Sequence, residues 1–370
     1  MRLPTGPRNA ADAADWLVLI RSENVGPATF YSLMERFGSA AAAIEALPSL
    51  PTERRPIVAA KRSSVAREME RAEKAGITYL FFGDPDYPER LAAIHAPPPV
   101  ITVRGDLTAL SRDPLAIVGA RKASAGGRTL ARRFAEGFGE VRRTVVSGLA
   151  RGIDEAAHKA ALLPGTVAVV AGGVDRPTPE EHAPLAEEIV AAGGAVTSEM
   201  PLGYMPFARD YPRRNRLIAG LSDAVVVIEA AARSGSLHTA RYASDESREV
   251  YAVPGSPLDP RVEGCLQLLK SGAAMATHPR DVLQHVQVLA ASRPEQKGAP
   301  GAVSEEEPPA FEILDVVDRV ASLLSPSPVP LDVLVREAAL PPHTVLAALT
   351  ELEISGRAER DVDGGVRAVV

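Results

Sequence analysis

Two short runs of this chain carry the residue types that hold anions. Leu115–Val118 and Thr144–Val146 are apolar and β-branched, and each leads into a turn of small residues. The first turn reads Gly119-Ala120-Arg121-Lys122-Ala123-Ser124. The second reads Ser147-Gly148-Leu149-Ala150-Arg151-Gly152-Ile153-Asp154. Strand, Gly/Ser turn and helix, in that order, bring backbone N–H groups and a helix N-terminus toward a negative charge. A dinucleotide fingerprint keeps glycine through such a turn, so that a pyrophosphate meets bare backbone. Here Arg121 and Lys122 stand in that place. Cations in the turn suit a phosphodiester backbone better than an enclosed cofactor, and no cofactor is expected. Tight strand-to-helix packing with arginines in solvent explains one such turn, but explains two in succession less well.

Two further segments belong with these turns. Arg209-Asp210-Tyr211-Pro212-Arg213-Arg214-Asn215-Arg216 places four arginines and one aspartate within eight residues, around one aromatic ring. Arginine forks grip phosphates, and a tyrosine ring stacks on an unpaired base. Pro212 suits the entry to a helix. A solvated charge cluster explains the arginines but not their place just before another apolar run, Ala224–Glu229. The last segment is Arg233-Ser234-Gly235-Ser236-Leu237-His238-Thr239, where small hydroxyl residues open a helix. It reads as an anion nest or as simple N-capping.

Nucleophile and metal chemistry find little support. His95, His158, His182, His238, His278, His285 and His343 form no HxxxH or HExxH pair. Ser147 lacks the glycine pattern of a nucleophile elbow, and no Walker lysine follows a Gly-rich loop. His158 reads as a satisfied core histidine. Asp154 reads as a cap for its own helix or a partner for Arg151.

The elements that must position these residues follow from the apolar pattern. Strand candidates at 115–119, 144–147, 166–171, 195–199, 224–229 and 249–253 alternate with helical segments. Most show little in–out alternation, as strands buried on both faces do. The pattern is α/β: an extended Rossmann-like, doubly wound, mostly parallel sheet over 76–290, with its ligand at the carboxyl ends of the strands. Within it, residues 77–110 read as a connector with short strand candidates at 77–82 and 100–103. Residues 1–75 read as helical, with a turn at Asn24-Val25-Gly26-Pro27. Helix, VGP turn, helix resembles a helix-hairpin-helix unit; a small packing bundle explains the same pattern. Residues 291–310 are a polar Pro/Gly/Glu linker. From 311 to 370, three helical segments and a strand pair turning at Asp361–Gly364 give a winged-helix layout.

Length and composition set the limits. The chain has 370 residues, 46% of them hydrophobic, and a net charge of −6. That charge is unevenly spread. Residues 302–370 hold 13 Asp/Glu against 5 Lys/Arg, whereas residues 112–159 hold 10 basic against 5 acidic residues. Local patches matter more to a polyanion than the total. The single cysteine, Cys265, excludes a disulfide framework. The opening MRLPTGPRNAADAADW has no apolar signal core. A cytoplasmic protein with no membrane association is expected.

Taken together the motifs resemble the DprA/Smf family, the DNA-processing proteins of bacterial transformation. The matching stretches are IVGARKAS (117–124), SGLARGIDEAAHKAAL (147–162), TVAVVAGGVD (166–175), SEMPLG (198–203), YPRRNRLIAGLSDAVVVIEA (211–230), RSGSLHTA (233–240) and VYAVPG (250–255). Departures are Thr178-Pro179 and His182 where the family has Tyr-Pro and Asn, His238 where an aliphatic residue is common, and Leu266 where Asn is favoured. The resemblance implies a homodimer that binds single-stranded DNA and hands it to the RecA recombinase, without catalysis. Phosphate neutralisation falls to Arg121, Arg209, Arg213, Arg214 and Arg216, base stacking to Tyr211, and backbone fixation to amides near Gly119, Gly148 and Gly235. Lys122, Ser124, Ser147, Arg151, Asn215, Ser234, Ser236 and Thr239 complete the expected DNA site. A rival is a nucleotide hydrolase of the lysine-decarboxylase-like phosphoribohydrolase group. Those enzymes carry a catalytic glutamate in a PGGxGTxxE motif, and the comparable turn here, at 233–240, has no acid at that spacing.

Overall fold

The structure is a computed structural model; it describes residues 6–49, 57–163, 165–291, 313–324, 331–338, 340, 342–355, 357–360 and 366–368. It forms two compact units, Met1–Pro294 and Glu295–Val370.

Among the described residues the first unit begins with four α-helices: α1 (Ala10–Arg21), α2 (Pro27–Phe37), α3 (Ala40–Ala46) and α4 (Arg62–Lys74). Asn9 caps α1 by accepting from the Asp12 amide at 3.0 Å, and Pro27 opens α2 with its φ already set. The apolar positions meet in one aromatic cluster. Trp16 lies 5.0 Å from Phe30 and 6.2 Å from Phe81, ring centre to ring centre. Phe81 belongs to the sheet, so the bundle packs on the sheet rather than standing apart.

Among the described residues that sheet has nine strands. They are β1 (Ile77–Phe81), then after a short helix α5 (Glu89–Ala92) β2 (Val100–Gly105), and β3 (Leu115–Gly119). Helix α6 (Ala125–Glu140) leads to β4 (Val145–Ser147), and α7 (Ile153–Ala160) to β5 (Thr166–Val169). Helix α8 (Ala183–Ala191) precedes β6 (Ala195–Ser198), and α9 (Asp210–Leu221) precedes β7 (Ala224–Ile228). Helix α10 (Ser236–Asp245) leads to β8 (Glu249–Ala252), α11 (Glu263–Lys270) to β9 (Ala274–Met275), and α12 (Pro279–Ala291) closes the unit. The spatial order is β1-β2-β6-β5-β4-β3-β7-β8-β9. Every pair from β6 to β9 is parallel; β1–β2 and β2–β6 are antiparallel.

The six strands expected from 115 onward are present, some shorter at their carboxyl ends. The strand candidates at 77–82 and 100–103 are present as β1 and β2, but they are not a mere connector: they belong to the main sheet, because β2 pairs with β6 from Thr102 to Gly105. The two-residue β9 had no signal of its own. Parallel central strands are buried on both faces. Leu115, Ile117 and Val226 face Phe134 and Phe138 of α6 on one side. Val118, Val225 and Val227 face Leu217 and Ile218 of α9 on the other. The chain winds β3 to β6 in one direction and β7 to β9 in the other, so the winding reverses between β3 and β7. Such a reversal opens a crevice at the strand carboxyl ends.

The second unit has α13 (Ile313–Leu323), α14 (Leu331–Ala338), α15 (Pro342–Ile354) and an antiparallel pair, β10 (Ala358–Arg360) with β11 (Val366–Ala368). Val320, Leu334, Val345 and Leu349 form its core. The expected linker, apart from Ala291, and the turn at 361–364 lie outside the described residues. Among the described residues no helix is long and apolar enough to cross a membrane.

Candidate nucleic-acid interface

A groove of about 520 Å³ opens at the carboxyl ends of β3 and β7, where the winding reverses. All four segments singled out in the sequence reach it, but they do so with different chemistry.

The turn after β3 supplies accessible cations. A Cβ on Gly119 would sit 1.9 Å from the Ile228 carbonyl oxygen, so only glycine lets β3 lie this close to β7. Beyond it Arg121 and Lys122 are exposed and make no ion pair among the described residues. The Arg121 guanidinium stacks over the Tyr211 ring, 5.2 Å from its centre. A guanidinium on a ring face still directs its N–H edge outward. Ser124 behaves otherwise. Its oxygen caps α6 by accepting from Gly127 N at 2.9 Å, and its hydroxyl donates to Glu229 Oε1. Its amide donates to Glu229 Oε2 at 2.8 Å. Ser124 thus fixes the turn from inside.

The turn after β4 is a scaffold. Ser147 is buried and donates to the Ile117 carbonyl at 2.6 Å. Asp154 accepts from the amides of Gly148 at 3.1 Å and Ala150 at 3.4 Å. Arg214, from α9, donates to the carbonyls of Gly148 and Val169. Gly148 leaves room for it: a Cβ there would meet Arg214 Nη1 at 2.6 Å. Burial pushes the Arg214 guanidinium down to about 10 while Asp154 opposes the shift, so it is charged at neutral pH. Burial likewise raises the Asp154 carboxyl, against the pull of Arg214 and the two amides.

Leu149 sits in the left-handed region, at φ 54°, as does Glu229 at the end of β7, at φ 51°. Such backbone is strained for a side-chain-bearing residue and gathers at functional sites. Two histidines hold the Leu149 peptide. The Leu149 amide donates to His158 Nε2 at 3.3 Å, and His182 Nδ1 donates to the Leu149 carbonyl at 2.8 Å. The accepting Nε2 places the proton of His158 on Nδ1, which faces Thr166 Oγ1 at 2.8 Å. Burial lowers its pKa to about 3. His158 is the satisfied core histidine that the sequence indicated.

Several expected contacts are corrected by this geometry. Asp154 does not hold Arg151; Arg151 is exposed and pairs with Glu181. Arg214 forms the groove floor and has both Nη1 contacts inside the protein. Asn215 links its neighbours, accepting from Arg214 Nε at 3.1 Å and donating to the Gly235 carbonyl at 3.1 Å. Arg213 donates to Glu199 Oε1 at 2.8 Å, and Arg216 to Glu199 Oε2 and the Ala96 carbonyl. Arg209 alone of the four arginines is exposed, over the Phe207 ring at 5.2 Å. Thr239 is buried, and Ser234 and Ser236 bond each other at 2.8 Å beside the open Gly235.

The carboxylates Glu199 and Glu229 were missed as site residues. Each directly follows or closes an apolar strand run, and a buried carboxylate there implies a partner. Glu199 also ties in the N-terminal helices: its carbonyl accepts from Arg21 Nη1 at 3.0 Å, and Arg21 pairs with Glu68 at 3.1 Å. Arg233, His238 and Arg261 line the groove as well, though none was counted.

These features define a class: a doubly wound α/β protein with an arginine-lined groove at its switch point, helices before it and, among the described residues after it, three helices with an antiparallel strand pair. Three family models match the three parts: DNA recombination-mediator protein A over 78–287, the DprA-like N-terminal HHH domain over 10–71, and the DprA winged helix domain over 304–364. The chain belongs to the DprA/Smf family. Protein Smf of Escherichia coli (strain K12) is 39% identical over 272 residues, covering 73% of this chain and 72% of that protein. DNA processing protein DprA of Streptococcus pneumoniae is 40% identical over 202 residues, covering 54% of this chain and 71% of that one. The X-ray structure of DprA from Streptococcus pneumoniae superposes with a TM-score of 0.56 at 33% identity, over 66% of this chain and 82% of that one. The Helicobacter pylori protein, whose structure concerns its single-stranded DNA binding mode, shares the fold at TM-score 0.51 and 24% identity, over 58% of this chain and 96% of that one.

Proposed function

We propose that the groove at the ends of β3 and β7 binds single-stranded DNA, and that the chain protects incoming DNA during transformation. The observation that carries this reading is the Arg121–Tyr211 stack beside Lys122. It sets a phosphate-binding cation and an aromatic ring side by side in an open groove, the pairing that sequence-tolerant single-strand binding uses. Phosphate contacts and ring stacking are indifferent to the base, so readout of sequence is weak. Arg121, Lys122 and Arg209 meet phosphates. Glu199 holds Arg213 and Arg216 back from the strand, and Arg214, Asn215, Ser124 and Ser147 hold the walls. The amides near Gly119, Gly148 and Gly235 fix the backbone.

Family membership supports the DNA-processing role. We further propose that the chain acts in the cytoplasm as a homodimer, without catalysis, and delivers its strand to RecA. A gel shift with single- and double-stranded DNA across salt tests the groove. Single-strand affinity should fall with a log–log slope of roughly −0.7 per phosphate neutralised. A flat salt response, or equal affinity for duplex, overturns it. RecA filament assembly on DNA with and without the chain tests delivery, and an unchanged assembly rate removes that step.

A further inference from the structure

We infer that a strand leaving the groove continues over the first turns of α6, on the side facing α7, where Arg128 and Arg132 hold its next phosphates. The inference rests on the single-strand reading of the groove and extends it to a surface outside the groove.

Helix α6 starts at Ala125, three residues after Lys122, which lines the groove, so its first turns lie next in the chain to the groove's cations. Arg128 and Arg132 are exposed, four residues apart on one helix face. That spacing puts them about 6 Å apart along the axis. Neither makes an ion pair among the described residues. The side-chain hydrogen bond of Arg132 goes to a neutral partner, Thr129 Oγ1 at 2.9 Å. Glu155 of α7 is a carboxylate that feels the charge of Arg128. Its Oε1 is taken by Lys159 at 2.7 Å and its Oε2 lies 3.6 Å from His182, with Arg128 a lesser influence on its lowered pKa.

The placement runs against helix electrostatics. A helix N-terminus favours carboxylates, yet the first turn of α6 has none and arginines follow at once. Among the described residues no ion pair offsets this, whereas a polyanion lying along the face does. The occupant is the same strand, because the row begins where the groove ends and guanidinium groups grip phosphate without regard to base. The row is short. Glu136 follows Arg132 at the same spacing and reverses the sign. Arg133 is exposed too, but lies about 100° round the helix from Arg132, away from this face.

The test uses the full chain with two thymidine oligomers, of about 5 and about 15 nucleotides, the shorter one filling the groove alone. In the Arg128→Ala/Arg132→Ala variant, affinity for the short oligomer should stay unchanged. Affinity for the long one should fall, and its salt slope should shrink by roughly 1.4, two phosphates' worth. Arg133→Ala should change neither, and Arg128→Lys/Arg132→Lys should keep most of the slope. Thermal unfolding should be unaltered, since all three side chains face solvent. An unchanged slope on the long oligomer overturns the inference and leaves the groove standing. So does an equal loss on both lengths. If the unaltered chain binds neither oligomer, both readings fall together.

Discussion

In the turn after β3, Arg121 and Lys122 reach solvent with no carboxylate paired to them among the described residues. In α9, Arg213 and Arg216 share the buried Glu199, and Arg214 lies under the groove on two carbonyls. The second region has more arginines and fewer free ones. A buried guanidinium must be hydrogen-bonded, because leaving its charge unpaired in a low-dielectric interior costs several kcal/mol. An arginine in a short exposed turn meets no such demand. Charge density along a sequence therefore overstates the charge that a fold presents, most of all where arginines sit on a helix against a sheet.

The largest expected effect tests the buried member. Arg214→Ala leaves Asp154 buried without its cation and should destabilise the first unit by about 3–5 kcal/mol, read by urea unfolding. Adding Asp154→Asn should restore part of that loss. If Arg214→Ala alone unfolds normally yet loses DNA, Arg214 belongs with Arg121 instead.

Next comes pH. The folded pKa of His158, about 3, lies below the ordinary histidine value, so folding favours the neutral ring. The unfolded chain takes up a proton as pH falls through about 6.5, while the folded chain does not until about 3. Stability should drop across that window by about 1.4 kcal/mol per pH unit. His158→Gln should flatten the slope in unfolding curves measured at several pH values.

The exposed pair comes third. Tyr211→Ala should weaken single-strand binding by about 1–3 kcal/mol. Arg121→Ala should cost about 1.5–3 kcal/mol, the range for hydrogen bonds to charged groups. Both should unfold at the temperature of the unaltered chain. Retained affinity in either variant takes that residue out of the site.

Smaller again is the effect of loosening the shared carboxylate. Glu199→Gln removes the charge that holds Arg213 and Arg216, and should steepen the salt slope by roughly 0.7, one further phosphate. The Arg21 contact goes to the Glu199 backbone and should survive. An unchanged slope means that Arg213 does not reach the strand. The smallest effect belongs to the acidic tail. Deleting residues 300–370 leaves the first unit whole and should change single-strand affinity by no more than about twofold, upward if at all, since the tail repels a polyanion. A large loss there assigns the tail a DNA contact.

The amino-acid sequence by itself determined the winding and the place of the groove. Apolar runs of strand length, each closed by a Gly/Ser turn and a helix, admit little but a parallel sheet with a site at its carboxyl ends. It also marked Arg121 and Lys122, because a cation inside a phosphate-type turn is a local signal. The tertiary structure decided which arginines remain free. Their partners lie far off in the chain: Ser124 and Glu229 are 105 residues apart, and Arg21 and the Glu199 carbonyl 178. It also decided that β1 and β2 join the sheet, since their register depends on β6, which comes some ninety residues after β2. Periodicity and turn chemistry act over a few residues and can be read along the chain. Burial and ion pairing depend on which surfaces meet, and only folding brings those surfaces together.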